Sequence, residues 1–178
     1  MDWDHLLTFT RLDGGHYSLG QPLAVRDGSV LLGVLEPVRV SLHGTQVHIE
    51  NFSPSEVVRT TQRNFGPLIL LEVSSFLVER FASLQVIHYN LSRQIETYGS
   101  GMQVARTRAE LLQNIGARDV TISPKPDAEV PGNFVVRGAW DYNDRNVAAL
   151  RQCLLKEQEI YRGGPRRTTH GNRTAGGN

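Results

Sequence analysis

Apolar and polar residues alternate with a period of two through most of the first fifty positions, and the period then becomes helical. Residues 5–12 (HLLTFTRL) and 22–26 (PLAVR) predict short strands, and the second meets Asp27-Gly28, a strong hairpin signal. Residues 29–41 (SVLLGVLEPVRVS) continue a meander. Pro37 marks a bulge or an edge there, because proline cannot donate to a sheet ladder. His43-Gly44 predicts a turn into 45–52 (TQVHIENF), where Val47 and Ile49 face one way and His48 and Glu50 the other. The first third is antiparallel β.

After Ser53-Pro54-Ser55-Glu56, a cap with an acid in the first turn, residues 55–62 predict a short helix. Gly66-Pro67 opens a longer one, with proline in the first turn where its missing N–H does no harm. Along 67–82 (PLILLEVSSFLVERFA), Glu72, Ser75 and Glu79 form the only polar stripe, so this helix is buried on most sides. Residues 84–92 predict a strand, 103–115 a second amphipathic helix ended by Gly116, and 119–123 and 133–142 two further strands. Asn143 or Asp144 caps a last helix running to about residue 162. Its apolar face, Val147, Leu150, Leu154 and Tyr161, covers either its own sheet or a second subunit, which makes a homodimer one expectation. Trp140 and Tyr142 are either packed beneath this helix or a partner surface, and packing is the simpler reading. The order of elements implies a mixed α/β sheet: an antiparallel meander, then α-β-α-β-β, then a C-terminal helix.

Composition narrows the class. The chain has 178 residues, 39% apolar and 21% charged, which is an ordinary globular balance. Its longest apolar run, 67–71, is far short of the roughly 18 residues of a membrane span. The first residues, MDWDHLLTFTRLDGG, are acidic where a secretory signal is basic, and a lone cysteine, Cys153, excludes an internal disulfide framework. A cytoplasmic protein is the expectation, with Cys153 a core residue of the last helix. A net charge of +1 gives no field for nucleic acid or an anionic membrane. Residues 163–178 hold three arginines, five glycines and no acid, and are expected to be a disordered tail after a single domain over 1–162. Histidines and carboxylates are too scattered to suggest a metal site.

Chemistry is expected where strand 45–52 leads, through a short segment, into Arg63-Asn64-Phe65-Gly66 and the buried helix. A helix N-terminus offers unpaired amides and the positive end of the dipole, which suit a pyrophosphate. Here the sequence resembles the GCN5-related N-acetyltransferases, whose acyl-CoA loop reads Arg/Gln-x-x-Gly-x-Gly/Ala between a strand and a helix. Arg63-x-x-Gly66 fits the first half of that pattern, and residues 29–142 follow the family's order of elements. The resemblance implies an acyl-CoA N-acyltransferase-like fold that takes acetyl-CoA and an amine acceptor. It implies a cofactor site at Asn51, Phe52, Arg63, Asn64, Phe65 and Gly66. Strands 45–52 and 84–92 would splay around the thioester, with Glu50 as first choice for the base, His88 as second, and Tyr89 or Tyr98 as a substitute acid. The sequence also departs from the family. Leu68 stands at its second small position, Pro67 removes one amide, and Leu112 stands where many members place an acidic tyrosine.

Each site residue also has a structural alternative: His48 and Glu50 as a solvent-facing row, His88 as a partly buried histidine, Tyr89 as packing, Arg63 as the partner of an acid. Two functions follow. One is acyl transfer from acetyl-CoA to an amine. The other is a catalytically inactive binding or regulatory protein on the same fold, acting through protein contacts.

Overall fold

The computed structural model describes residues 2–36, 38–61, 63–92, 101–126 and 132–163. Strand β1 (Thr8–Thr10), β2 (Leu23–Asp27) and β3 (Val30–Leu35) form the antiparallel meander, and Asp27-Gly28 turns between the last two as its sequence predicts. The text 29–41 does not give one strand. Strand β3 ends at Leu35, Pro37 lies outside the described residues, and the far end of this text, β4 (Arg39–Ser41), belongs to a second sheet. His43 and Gly44, both at positive φ, then reverse the chain. The returning strand breaks in the same way, into β5 (Gln46–Ile49) beside β4 and β6 (Phe52–Pro54) beside β3. The Glu36 amide donates to the Asn51 carbonyl at 2.9 Å, so the ladder bridges the break. Residues 30–54 are thus one bent hairpin shared by two sheets.

Helix α1 (Glu56–Thr60) carries the expected cap, with Ser55 Oγ accepting from the Val58 amide at 3.4 Å. Helix α2 (Gly66–Arg80) leads to β7 (Val86–Ser92), and α3 (Gly101–Asn114) to β8 (Arg118–Pro124) and β9 (Phe134–Asp141). Gly116, at φ +87, ends α3. The last helix, α4 (Asp144–Gly163), starts on Asn143, whose Oδ1 accepts the Asn146 amide at 2.9 Å. The sheets are ordered β1-β2-β3-β6 and β4-β5-β7-β9-β8, with β5 and β7 parallel and every other pair antiparallel. This is the mixed α/β order that the acetyltransferase resemblance implies.

Period two decides the two faces of the second sheet. Val47, Ile49, Ile87, Tyr89 and Trp140 alternate inward and are buried under the helices. Trp140 Nε1 donates to the Ile115 carbonyl at 2.8 Å, and the Tyr89 hydroxyl lies 2.8 Å from Ser74 Oγ, so α3 and α2 both sit on this face. Trp140 is packed, while Tyr142 stays half exposed. Val147, Leu150 and Leu154 of α4 complete the core, each worth about 1.5–3 kcal/mol by burial. The apolar face of α4 is therefore spent inside the chain. Cys153 is only half-buried, at the margin of that core.

The N-terminal segment departs most from its sequence reading. Residues 5–7 are not strand, because α2 takes their backbone donors: Glu72 accepts from Leu6 at 3.0 Å and Leu7 at 3.2 Å. Glu79 accepts from the Trp3 amide at 3.1 Å, and His5 Nε2 lies 2.9 Å from Ser75 Oγ. The polar stripe of α2 is where residues 3–7 dock, and Glu72 and Ser75 are wholly buried beneath them. Gln158 of α4 reaches the same carboxylate, with Nε2 2.7 Å from Glu72 and 2.6 Å from the Asp4 carbonyl.

Candidate functional site

The parallel pair β5 and β7 runs in register from Gln46↔Val86 to Ile49↔Tyr89 and then parts. Beyond that point β6 pairs with β3 alone and residues 90–92 pair with β9 alone. Among the described residues, the edges that face each other across this wedge carry backbone groups with no ladder partner. The splay expected of strands 45–52 and 84–92 is therefore present.

The outer face of the second sheet opens beside the wedge as a cleft of about 380 Å³. Register brings His48, His88, Ala139 and Arg118 into one row across four strands, and Asn90 and Arg137 into the next. The imidazoles of His48 and His88 stack, with centroids 4.6 Å apart and planes at 15°. His88 Nε2 lies 3.1 Å from Gln46 Oε1, to which it donates, so the neutral form of this ring presents its lone pair at Nδ1. His48 Nε2 lies 3.3 Å from Ser41 Oγ. Partial burial, then His88 and Arg39, hold the His48 pKa below its usual value despite Glu50, so this ring is neutral near pH 7.

Glu50, His88 and Tyr89 all border the cleft. Glu50 is ion-paired with Arg39 across the bend of the hairpin. The Tyr89 hydroxyl points the other way, into the helix layer, and burial pushes its pKa well up. Tyr98 lies outside the described residues.

The residues expected to hold the cofactor are spread over two places. Asn51 is exposed at the wedge, and Phe52 lies over Gly33, where a Cβ would overlap its ring. Arg63 stacks on Tyr161, its guanidinium 3.7 Å from the ring centroid, and donates to the Tyr161 carbonyl near the end of α4. No acid pairs with it among the described residues. Phe65 is buried beside the same tyrosine. Tyr161 in turn donates to Asp27, and its phenol is raised to about 12 by burial and by that carboxylate. At the start of α2, Asn64 Oδ1 accepts the Gly66 amide at 3.1 Å and Pro67 has no amide, which leaves only that of Leu68 in the first turn.

Sequence reasoning missed Arg137 and Arg118, the cations of the cleft. Each is polar in a half-apolar strand, but only the pairing register carries them beside His88, and single-strand periodicity does not reveal register. The fold and the wedge define a mixed α/β protein whose one parallel strand pair among the described residues parts at its end. No protein family model matches the chain, and no curated protein matches it in sequence. Among solved structures it is similar to a Bacillus subtilis acetyltransferase in complex with CoA, at 16% identity, covering 70% of this chain and 78% of that one, TM-score 0.42. It is also similar to a GNAT family acetyltransferase from Elizabethkingia anophelis with acetyl-CoA bound, at 13% identity over 69% and 76%, TM-score 0.41. A third is Mycobacterium smegmatis RimJ in complex with CoA-disulfide, at 10% identity over 78% and 60%, TM-score 0.46.

Proposed function

We propose that the chain is a diverged acyl-CoA-dependent N-acyltransferase working in the cytoplasm, with its reaction centre where β5 and β7 part. The observation that carries this reading is the wedge itself, with unpaired strand edges on either side and two stacked histidines at its mouth. Such edges suit an extended thioester arm bearing amides, which pairs with them as an added strand does. The amine nitrogen attacks the thioester carbonyl carbon, the C–S bond breaks, and the amine gives up a proton. His88 is the best-placed base, because Gln46 fixes Nε2 and the neutral ring then offers the lone pair of Nδ1. Glu50, tied to Arg39, shapes the local charge. The departing thiolate takes its proton from water in the open cleft, since Tyr89 faces away. Asn51 and Phe52 flank the arm. Arg63, Asn64, Phe65 and Gly66 offer the diphosphate little beyond the Leu68 amide and the dipole of α2, so CoA is held mainly at the wedge.

Thiol release from acetyl-CoA with a panel of amines tests this, with His88→Gln expected to lower kcat by about 100-fold or more. No amine-dependent release by the intact chain sinks the proposal.

One observation favours the second reading, an inactive binding protein: the engagement of Arg63 by Tyr161 and the loss of amides at α2 remove most of a diphosphate cradle. That protein would ignore CoA and form a stable complex with itself or another protein. Leu155 and Ile160, exposed on α4, are among the apolar contacts available to it. Light scattering with and without acetyl-CoA separates the two readings.

A further inference from the structure

The charges around the cleft are not evenly satisfied. Arg118 is saturated: Nε and Nη2 hold Asp141 at 2.7 and 3.2 Å, and Nη1 holds Asp119 at 2.7 Å. Glu50 is matched by Arg39. Arg137 differs, for its guanidinium is exposed, donates only from Nη1 to Ser123 Oγ at 3.0 Å, and meets no carboxylate among the described residues. Among the described residues the fork is thus open on its remaining edges, at the end of the cleft where Asn90 sits opposite it in register. One row away lie His88 and the small, buried Ala139, which forms a low floor between the two. The far end, with one arginine between two aspartates, is acidic. The cleft is therefore polarised along the strands, cationic at Arg137 and anionic at Asp119 and Asp141.

From this we infer that the acceptor is an amine carrying a carboxylate, bound with its carboxylate on Arg137 and its amine at His88. A planar fork with free N–H groups matches a carboxylate in two-point contact. A single arginine that meets no carboxylate among the described residues suits a monoanion better than a doubly charged phosphate. The ammonium form is drawn to the acidic end and delivered next to the lone pair of His88. His88 and Arg137 are diagonal neighbours on adjacent strands, a relation that places such residues about 7–8 Å apart and sets the separation of the two charged groups. That spacing fits an ω-amino acid and is too long for an α-amino acid bound in the same way. The inference rests on the acyltransferase reading for what becomes of the amine, but not for the binding itself.

The test is NMR titration of the full chain, following the imidazole Cε1–H signals of His48 and His88. The probes are 4-aminobutyrate and butylamine, which share the amine and differ in the carboxylate. We expect 4-aminobutyrate to shift both signals at concentrations at least about tenfold lower than butylamine, as a charge-assisted contact implies. Arg137→Gln should abolish that preference without changing the thermal midpoint. Equal response to the two amines, no response to either, or an unchanged preference in Arg137→Gln overturns the inference. Binding of 4-aminobutyrate without acetyl transfer would refute the acyltransferase reading and leave this subsite standing. Transfer to butylamine as fast as to 4-aminobutyrate would do the reverse.

Discussion

Replacing Glu72 by alanine should loosen the N-terminal segment from the rest of the molecule. The carboxylate is fully buried and accepts three donors: the amides of Leu6 and Leu7 and the side-chain amide of Gln158. Without it the buried Leu7 amide is orphaned, the partly buried Leu6 amide loses its acceptor and Gln158 keeps only the Asp4 carbonyl, and each orphaned donor costs about 1–3 kcal/mol. Relaxation recovers part of this, and the removed side chain leaves a small cavity. Loss of a buried, multiply bonded carboxylate should destabilise the native state by about 3–5 kcal/mol. At about 2–4 °C per kcal/mol for a domain of this size, the thermal midpoint should fall by roughly 6–20 °C. Glu72→Gln keeps the shape and one acceptor while turning an N–H toward a donor, so it should cost about 1–2 kcal/mol. Urea unfolding gives the totals, and amide exchange gives the location. In Glu72→Gln, protection should fall first at Leu6 and Leu7, ahead of β7 and β9. A loss under about 1 kcal/mol in the alanine variant, or exchange that rises uniformly, would refute the reasoning.

Other outcomes follow from single contacts. Gly33→Ala should destabilise by about 2 kcal/mol or more, since its Cβ would meet the Phe52 ring and the Ser53 carbonyl across the β3–β6 ladder; unchanged urea unfolding would contradict this. His48 has a folded pKa below its unfolded value of 6.5, so the unfolded chain binds more protons as pH drops below 6.5. Its contribution is therefore present above that pH and is lost on acidification toward the folded pKa. His48→Gln should flatten this part of the stability curve, and an equally steep variant would refute the assignment. Tyr89→Phe should lose the bond to Ser74, about 1 kcal/mol, and should also weaken the dependence on alkaline pH above about 10. Arg63→Ala should cost about 1–2 kcal/mol through the lost stacking on Tyr161. If it instead leaves stability unchanged and abolishes acetyl-CoA binding, the arginine serves the cofactor rather than α4.

The elements were legible because each follows from a short-range signal. Asp27-Gly28 turns a hairpin, Ser55 and Asn143 cap helices, and Gly116 takes the positive φ that ends α3. That β3 and β4, and likewise β5 and β6, would part into two sheets was not legible, since it depends on which neighbour each half-strand finds. The stripe Glu72, Ser75 and Glu79 was visible at helical spacing, but periodicity says only that such residues share a side. It does not say that a chain end seventy residues away will cover them and supply the donors. The same limit governs the site. His48 and His88 were each on the correct face of its strand, yet their stacking follows from parallel register. Arg137 joined the cleft through β9, and Arg63 turned to Tyr161 through a contact between distant parts of the chain.

Calorimetric titration of the full chain with acetyl-CoA tests the central claim most directly. The account predicts saturable binding that raises the thermal midpoint at about 1 mM ligand. It further predicts that crowding the wedge at its exposed Asn51, by Asn51→Trp, weakens this binding while Arg63→Ala spares it. No heat and no shift at that concentration, with the fold intact, would contradict an acyl-CoA site at the parting of β5 and β7.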